Sequence, residues 1–245
     1  MQKIVNWDPE AKTTLSNEEV VYKEKKAKLF YLKYKLESSE EFLLVATTRP
    51  ETIFGDTAVA VNPNDKRYRK LIGKKLIVPL VNRAVPIVGD NSVDLEFGTG
   101  CLKVTPAHSE KDFEIGLRNN LDIIDIFNDD ASLNACGMHY KSLDRFSVRK
   151  KIINELDEKG LLDRSEDYSH NIALSERTSC VVEPKLSTQW FVKMKKLSKP
   201  ALELVLNGDI QFYPKKYVKT YKNWLENIRD WNISRQLYWG QRIPT

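Results

Sequence analysis

The stretch from Lys28 to Ala107 decides the fold, because it is a series of short apolar runs closed by turn residues: KLFYLKYKL (28–36), EFLLVATT (41–48), TAVAVNP (57–63), KLIVPLV (75–81), AVPIVGD (84–90) and CLKVTPA (101–107). Runs of this length and composition are typical of β-strands. No helical pattern separates them, and their Pro, Gly and Asn punctuation favours a closed or strongly curved sheet over a βαβ arrangement. The sequence therefore predicts a barrel core over about residues 27–130.

Helical segments follow this core. SEKDFEIGLRNN (109–120) has the pattern of a short helix with Ser109 as its N-cap, and DIIDIF (122–127) reads as a further strand. A longer helix is predicted over 147–159, ending at Gly160, which suits the left-handed position after a helix. Its apolar face comprises Val148, Ile152, Ile153 and Leu156. The predicted fold class is α+β, a mixed β-barrel with flanking α-helices.

Composition narrows the function only modestly. The chain has 245 residues, of which 41% are hydrophobic, enough for a buried core. A net charge of +5 favours a polyanionic partner weakly, and the lysine runs at 23–35, 195–199 and 213–222 are read first as solvated faces.

The sequence also indicates where the protein works. There is no apolar run of eighteen residues and no signal-peptide pattern at the N-terminus. The three cysteines, an odd and widely spaced set, argue against a disulfide framework. We therefore expect a cytoplasmic location and no membrane partner. Cys136 and His139 form only half of a conceivable zinc site, so no metal is expected.

Two segments carry a resemblance to a known family. VATTRPETIFGDTAVAV (45–61) could by itself be ordinary strand surface, but the order T-T-R-P-E-T followed by G-D-T-A resembles the threonine-rich peptide of the editing domains in valyl-, isoleucyl- and leucyl-tRNA synthetases. GTGCLKVTPAHSEKDFEIG (98–116) lacks the continuation of a phosphate loop and resembles the second editing-site segment of the same enzymes. Its lysine, threonine and TPAH, in that order, point to the valyl family.

Further stretches extend this resemblance over almost the whole chain: VNWDPEAKTTLSNEEV (5–20), VVEPKLSTQWFVKM (181–194) and WLENIRDWNISRQLYWGQRIP (224–244). The resemblance implies an editing domain over residues 1–184 and, over 185–245, a returning connection toward a catalytic domain outside the chain. The HIGH and KMSKS signatures of the synthetic site are absent. We therefore expect no aminoacylation by this chain, and no cofactor, with ATP needed only by a full-length enzyme.

The resemblance also assigns residues. Asp112 matches the carboxylate that holds the ammonium group of the misattached amino acid, and it is named with Thr52 as catalytic. Thr47, Thr48 and Arg49 match positions that line the pocket and position the terminal adenosine.

The second segment supplies the remaining candidates for substrate or tRNA binding. Lys103 and Thr105 match valyl-family positions near the substrate and the tRNA end, and they alternate onto one strand face. His108 lies in the same segment. Ser109 departs from the family pattern, which usually has aspartate there, so we expect an active site with relaxed or weaker selectivity.

The implied reaction is hydrolysis of mischarged Thr-tRNA(Val), with the tRNA 3′ end and the rest of the synthetase as partners. No histidine has a Ser or Cys nucleophile arranged near it in these motifs, so a positional mechanism is expected, in which water is oriented and a free ribose hydroxyl assists. Three alternatives stay open: a tRNA 3′-end binding module with weakened or lost hydrolysis, an isoleucyl-type editing domain, and a structural or oligomerisation insert, suggested only by the Trp-rich last quarter.

Overall fold

The computed structural model describes residues 2–244, which form a seven-stranded sheet, two smaller sheets and four α-helices. The strands are β1 (Gln2–Asp8), β2 (Thr13–Leu15), β3 (Val20–Leu36), β4 (Phe42–Thr47), β5 (Ala58–Val61), β6 (Lys75–Ile77), β7 (Ala84–Gly89), β8 (Cys101–Val104), β9 (Leu162–Ser175), β10 (Glu183–Thr188), β11 (Phe191–Val192) and β12 (Trp231–Asn232). The helices are α1 (Glu110–Arg118), α2 (Arg145–Glu158), α3 (Met194–Leu206) and α4 (Tyr217–Glu226).

The large sheet has the strand order β4-β3-β6-β7-β5-β8, with β9 added beside β3. Its ladders are antiparallel except for the parallel pair of β5 and β7. The sheet curves until its two ends approach each other, and Thr99, just before β8, donates a hydrogen bond of 2.6 Å to the Leu44 carbonyl of β4. The predicted mixed β-barrel with flanking helices is confirmed in the form of a half-barrel.

The apolar runs form these strands because their inward side chains fill one core, which α2 covers from outside. Tyr34 and Leu76 are fully buried in it, and α2 adds Val148, Ile152 and Leu156 from a single face. The predicted helices are confirmed with shifted ends. Helix α2 starts before residue 147 because Asp144 caps the Phe146 and Ser147 amides, and Gly160 follows it with φ +66°.

The predicted strand at 122–127 is wrong. Residues 121–126 pair with no strand among the described residues, and Phe127 makes only an isolated bridge with Leu133. The polar groups of Ile126 are used elsewhere, since its amide donates to His108 Nε2 (3.1 Å) and its carbonyl accepts from the Asn134 amide (2.8 Å). The apolar side chains of this segment still enter the core, which explains the misleading pattern.

Residues near both ends of the chain share a sheet. Strand β10 pairs along its length with β1, from Gln2 opposite Thr188 to Trp7 opposite Glu183. The domain boundary placed between 184 and 185 stays a prediction. The segment YVKTYKNWLENIRDW (217–231) has helical spacing in the sequence and contains α4, whereas the sequence reading missed α3 and the long, mostly exposed β9. No helix within residues 2–244 is long and apolar enough to cross a membrane.

A packing test follows from Gly55, which ends the 3₁₀ turn Pro50–Gly55 against the strand and loop of the second motif. A Cβ atom at Gly55 would lie 2.9 Å from Thr105 Cγ2 and 3.0 Å from the Ile124 carbonyl. We expect Gly55→Ala to lower the free energy of unfolding by about 1–3 kcal/mol, the usual cost of overpacking. Chemical denaturation measures it.

The matched control is Gly240→Ala, where the nearest atom to a new Cβ is Leu237 Cβ at 3.6 Å, so stability should change by less than about 0.5 kcal/mol. Equal stability of Gly55→Ala and the unchanged protein would contradict the described packing.

Candidate active site

The two motifs recognised in the sequence meet around the ammonium group of Lys103. This group donates hydrogen bonds of 2.7 Å each to Thr52 Oγ1, Asp56 Oδ1 and Thr105 Oγ1. Lys103 lies on β8, Thr52 and Asp56 come from the 3₁₀ turn and its end, and all four side chains are buried. We call Thr52, Asp56, Lys103 and Thr105 the Lys103 cluster.

The hydrogen bonds of this cluster have a fixed direction. A lysine ammonium has three protons and no acceptor, so both threonine hydroxyls must accept from it. Each hydroxyl then donates its own proton inward, Thr52 to the Arg49 carbonyl (2.9 Å) and Thr105 to Asp56 Oδ1 (2.7 Å). Every proton of Lys103, Thr52 and Thr105 is therefore used within the protein. What the cluster can still offer a ligand is lone pairs, which suit groups that donate hydrogen bonds.

Asp112 lies beside this cluster, in the first turn of α1. It is only 7% exposed, and its Oδ2 accepts a 2.9 Å hydrogen bond from the Thr105 amide. The Ser109 side chain lies beside the same carboxylate, at the start of the helix. Burial raises the pKa of Asp112, while the Thr105 amide, the charge of Lys103 and a hydrogen bond from the Ser109 side chain act in the opposite direction. Asp112 is thus a buried carboxylate that the Thr105 amide fixes through one of its oxygens.

Ser109 fixes the start of α1 and therefore the position of Asp112. Its Oγ accepts a hydrogen bond of 3.3 Å from the Asp112 amide, as predicted for the N-cap residue.

A network of ion pairs holds the 3₁₀ turn Pro50–Gly55, the threonine-rich turn, on the side away from the Lys103 cluster. Arg49 Nη2 lies 2.6 and 2.8 Å from the two carboxylate oxygens of Glu183, and Arg49 Nε lies 3.2 Å from Glu51. Arg149 of α2 also pairs with Glu51 (2.6 Å), and Arg145 pairs with Glu183. Although burial opposes it, the guanidinium groups of Arg149 and Arg49 keep the pKa of Glu51 below its usual value. The turn is thereby fastened to α2 and to β10.

The remaining candidates of the first motif lie at the edge of this arrangement. Thr47 is buried, and its Oγ1 accepts from the Arg49 amide at 3.0 Å. Thr48 is half-buried and makes no side-chain hydrogen bond with any described residue. The Arg49 side chain is 28% exposed, and its charge is already paired. Substrate or tRNA contacts of these three residues stay predictions.

His108 is buried in a neutral form behind the site. Its Nε2 accepts the Ile126 amide proton, and its ring packs edge-on against Phe127 with centroids 4.7 Å apart. Burial, helped by the charges of Arg49 and Lys103, holds the pKa of His108 well below its ordinary 6.5. Its predicted contact with substrate stays a prediction, and the structure gives it a role in holding the loop at Ile126.

Sequence reasoning missed Asp56, Tyr34 and Glu183. Asp56 had a signal, because it is the lone carboxylate in the largely apolar segment IFGDTAVAV, two residues before a fully buried strand. Glu183 had a similar signal in VVEPKL. Tyr34 had none, since it stands between two lysines in a strand where an aromatic residue fills the core in any case.

The family of the chain follows from comparison with known proteins. A family model described as tRNA synthetases class I (I, L, M and V) matches residues 1–245, so the chain belongs to the class I tRNA synthetases. Within that class it is similar to valine–tRNA ligases, with 58% identity to the enzyme of Christiangramia forsetii, 56% to that of Bacteroides fragilis and 55% to that of Thermotoga maritima. The resemblance to valyl-tRNA synthetases read from the sequence is confirmed.

These matches cover 98–99% of this chain but only 28% of each relative's length. Among solved structures, a LeuRS–tRNA–LeuAMS ternary complex of Agrobacterium radiobacter K84 matches with a TM-score of 0.45 and 18% identity. This match covers 70% of this chain and 30% of that one.

A pH test follows from His108. Below about pH 6.5 the unfolded chain takes up a proton on this residue that the folded chain does not bind, because folding lowers the pKa. The contribution of His108 to the free energy of unfolding is therefore retained above pH 6.5. It is lost as the pH falls below that value, at up to about 1.4 kcal/mol per pH unit. His108→Gln keeps an acceptor for the Ile126 amide but does not titrate.

We expect the free energy of unfolding to fall less steeply between about pH 7 and pH 5 in His108→Gln than in the unchanged protein, as measured by urea denaturation at each pH. The difference in slope is the readout, since the absolute stability of the variant also reflects repacking. Parallel pH profiles would show that His108 is not buried in its neutral form.

Proposed function

We propose that this chain is the editing part of a valyl-tRNA synthetase and that it hydrolyses the ester joining threonine to tRNA(Val). The observation that carries the proposal is the polarity of the Lys103 cluster beside Asp112. This surface consists of acceptors, namely one carboxylate oxygen and hydroxyl lone pairs. Mischarged threonine presents donors, namely an ammonium group and a side-chain hydroxyl. Membership of the class I tRNA synthetases supports the same reading.

Asp112 binds the ammonium group in this proposal. Its carboxylate is buried and is fixed at one oxygen by the Thr105 amide, and a charge-assisted hydrogen bond from an ammonium ion would pair its negative charge. This hydrogen bond fixes the amino acid by its ammonium group, which does not take part in the reaction. Because α1 and the Thr105 amide hold Asp112 rigidly, the ester carbonyl is placed at a defined distance from the cluster.

Selectivity for threonine follows from the direction of the hydrogen bonds in the Lys103 cluster. A threonine hydroxyl donates to a lone pair of the cluster, whereas valine of the same shape would bury that acceptor unpaired, at a cost of about 1–3 kcal/mol. The editing site therefore favours threonine, whereas the synthetic site favours valine. At the synthetic site, discrimination of valyl-tRNA synthetases against threonine is known to be only about 10²-fold. Ser109, where the family usually has aspartate, lowers the negative charge beside the substrate and relaxes this selectivity.

The reaction itself is hydrolysis without a covalent intermediate. The oxygen of a water molecule attacks the ester carbonyl carbon and gives up a proton. The bond from that carbon to the ribose oxygen breaks, and the ribose oxygen takes up the proton that the water lost, which releases threonine. A neighbouring hydroxyl of the ribose assists the attack, and the protein positions the ester through Asp112 and Thr52. His108 is not available as a general base because its Nε2 already accepts the Ile126 amide proton.

The tRNA end enters past the first motif. Thr47 and Thr48 lie on the edge of the turn and contact the terminal adenosine, while Arg49 acts through its ion pairs by keeping that turn in shape. Lys103 on β8 and Thr105 directly after it face the amino acid. The partners are the tRNA(Val) 3′ end and the remainder of the synthetase, and the location is the cytoplasm.

Asp112→Asn tests the proposal, because asparagine keeps the shape and an acceptor for the Thr105 amide but loses the charge. We expect hydrolysis of Thr-tRNA(Val) to be slowed about 10- to 100-fold, the effect of losing a hydrogen bond to a charged group. The measurement is release of labelled threonine, with Val-tRNA(Val) as the comparison substrate. The control is Asp122→Asn, an exposed aspartate beyond α1, which should hydrolyse at the unchanged rate.

Two outcomes would count against the proposal. Hydrolysis of the two esters at equal rates by the unchanged protein would remove the basis for threonine selectivity. Equal rates in Asp112→Asn and Asp122→Asn would show that the carboxylate does not bind the ammonium group.

A further inference from the structure

We infer that Tyr34 and Asp56 are positioning residues that fix the direction of the hydrogen bonds in the Lys103 cluster and thereby its preference for a threonyl over a valyl ester. Neither residue contacts the substrate in this scheme. The inference rests on the proposed function and adds the residues that set its selectivity.

The geometry gives each carboxylate oxygen of Asp56 its own donors. Tyr34, fully buried on β3, donates a 2.7 Å hydrogen bond to Oδ2, while Lys103 and Thr105 both donate to Oδ1 at 2.7 Å. Asp56 is itself fully buried. Arg83 holds the backbone of the same turn through the main-chain carbonyls of Asp56 (2.7 Å) and Phe54 (2.9 Å). The carboxylate therefore cannot rotate out of this orientation without losing a bond.

This arrangement decides which way the protons of the cluster point. Asp56 Oδ1 is the acceptor for the Thr105 hydroxyl proton and for one ammonium proton, so those protons face away from the ligand. Without the Tyr34 hydroxyl, Oδ2 would be a buried charged acceptor with no partner and would compete with Oδ1 for both donors. Lys103 and Thr105 would then populate more than one arrangement, and some of these would point protons at the substrate.

The consequence is weaker discrimination between the two aminoacyl groups, without a change in the contacts with the tRNA itself. A proton directed at the ligand repels its ammonium group and removes a lone pair needed by the threonine hydroxyl. The contacts with the tRNA end lie on the threonine-rich turn and are not altered. We therefore expect kcat/KM for the threonyl ester, and with it the ratio of threonyl to valyl hydrolysis, to fall.

The test compares Tyr34→Phe with a matched control, Tyr140→Phe. Tyr140 is likewise buried in the main core and donates a 2.7 Å hydrogen bond to a carboxylate, that of Glu155, which is not in the Lys103 cluster. Each variant removes one buried hydroxyl and keeps the ring. We expect the ratio of Thr-tRNA(Val) to Val-tRNA(Val) hydrolysis to fall about 3- to 10-fold in Tyr34→Phe and to stay unchanged in Tyr140→Phe. Asp56→Asn should lower the ratio by about tenfold or more.

A second measurement reports on Lys103 without any tRNA. In ¹⁵N-labelled protein, an ammonium group held by three acceptors and shielded from solvent gives a proton signal that exchanges slowly. We expect this Lys103 signal, assigned through its loss in Lys103→Met, in the unchanged protein and in Tyr140→Phe. It should be broadened or lost in Tyr34→Phe and in Asp56→Asn. If Asp56→Asn does not fold, Tyr34→Phe decides the matter.

The outcomes separate this inference from the proposed function. If the unchanged protein shows no threonine-selective hydrolysis, the proposed function fails and the selectivity claim falls with it, while the ammonium signal still decides whether Tyr34 and Asp56 hold Lys103. If hydrolysis is selective but Tyr34→Phe matches Tyr140→Phe in both measurements, the inference is overturned and the proposed function stands. A changed ammonium signal with an unchanged ratio would also overturn the claim about selectivity.

Discussion

A buried ammonium group, that of Lys103, is the constraint on which the rest of the structure depends. A charge removed from water is very unfavourable unless it is paired and fully hydrogen-bonded. Lys103 meets that condition only when β8, the turn at 50–56 and the side chain of Asp56 are all in place. The curvature of the sheet provides this, because β5 leads from the turn and lies directly beside β8. The half-barrel and the site therefore form together.

The same turn is fixed a second time by charges on its other side. Arg49 and Glu51 are tied to α2 through Arg149 and to β10 through Glu183. Removing one member would leave a buried charge without its partner, which is more harmful than the absence of the whole group. Because β10 pairs with β1 at the start of the chain, both ends of the sequence contribute to the shape of a site that lies in the middle.

The sequence predicted the elements whose signals are local. Apart from β9, the strands of the half-barrel were visible as apolar runs, and the Ser109 cap of α1 and the end of α2 before Gly160 were visible as helix punctuation. The segment 122–127 misled because its apolar residues fill the core without a ladder. An apolar run indicates which residues are buried but not whether their backbone pairs with another strand. This explains both the correctly predicted strands and the wrong strand at 122–127.

The site was predictable only in part, for a related reason. The resemblance drew attention to Thr52, Lys103, Thr105 and Asp112, and the first three contact one another in the structure through Lys103. The partners that fix them are distant in sequence. Tyr34 lies 22 residues from Asp56, Asp56 lies 47 residues from Lys103, and Arg49 lies 134 residues from Glu183. No local pattern encodes such pairings, and one sequence alone does not reveal them.

The most direct measurement of the central claim, that this site is a set of acceptors shaped for threonine, is binding of two non-hydrolysable ligands. Adenosine carrying threonine through a 3′-amide is titrated into ¹⁵N-labelled protein, and the valine analogue is titrated in parallel. We expect the threonyl analogue to bind about tenfold more tightly, with signals of Lys103, Thr105 and Asp112 shifting in both titrations. Equal affinities, or shifts confined to residues outside the Lys103 cluster and Asp112, would contradict the account.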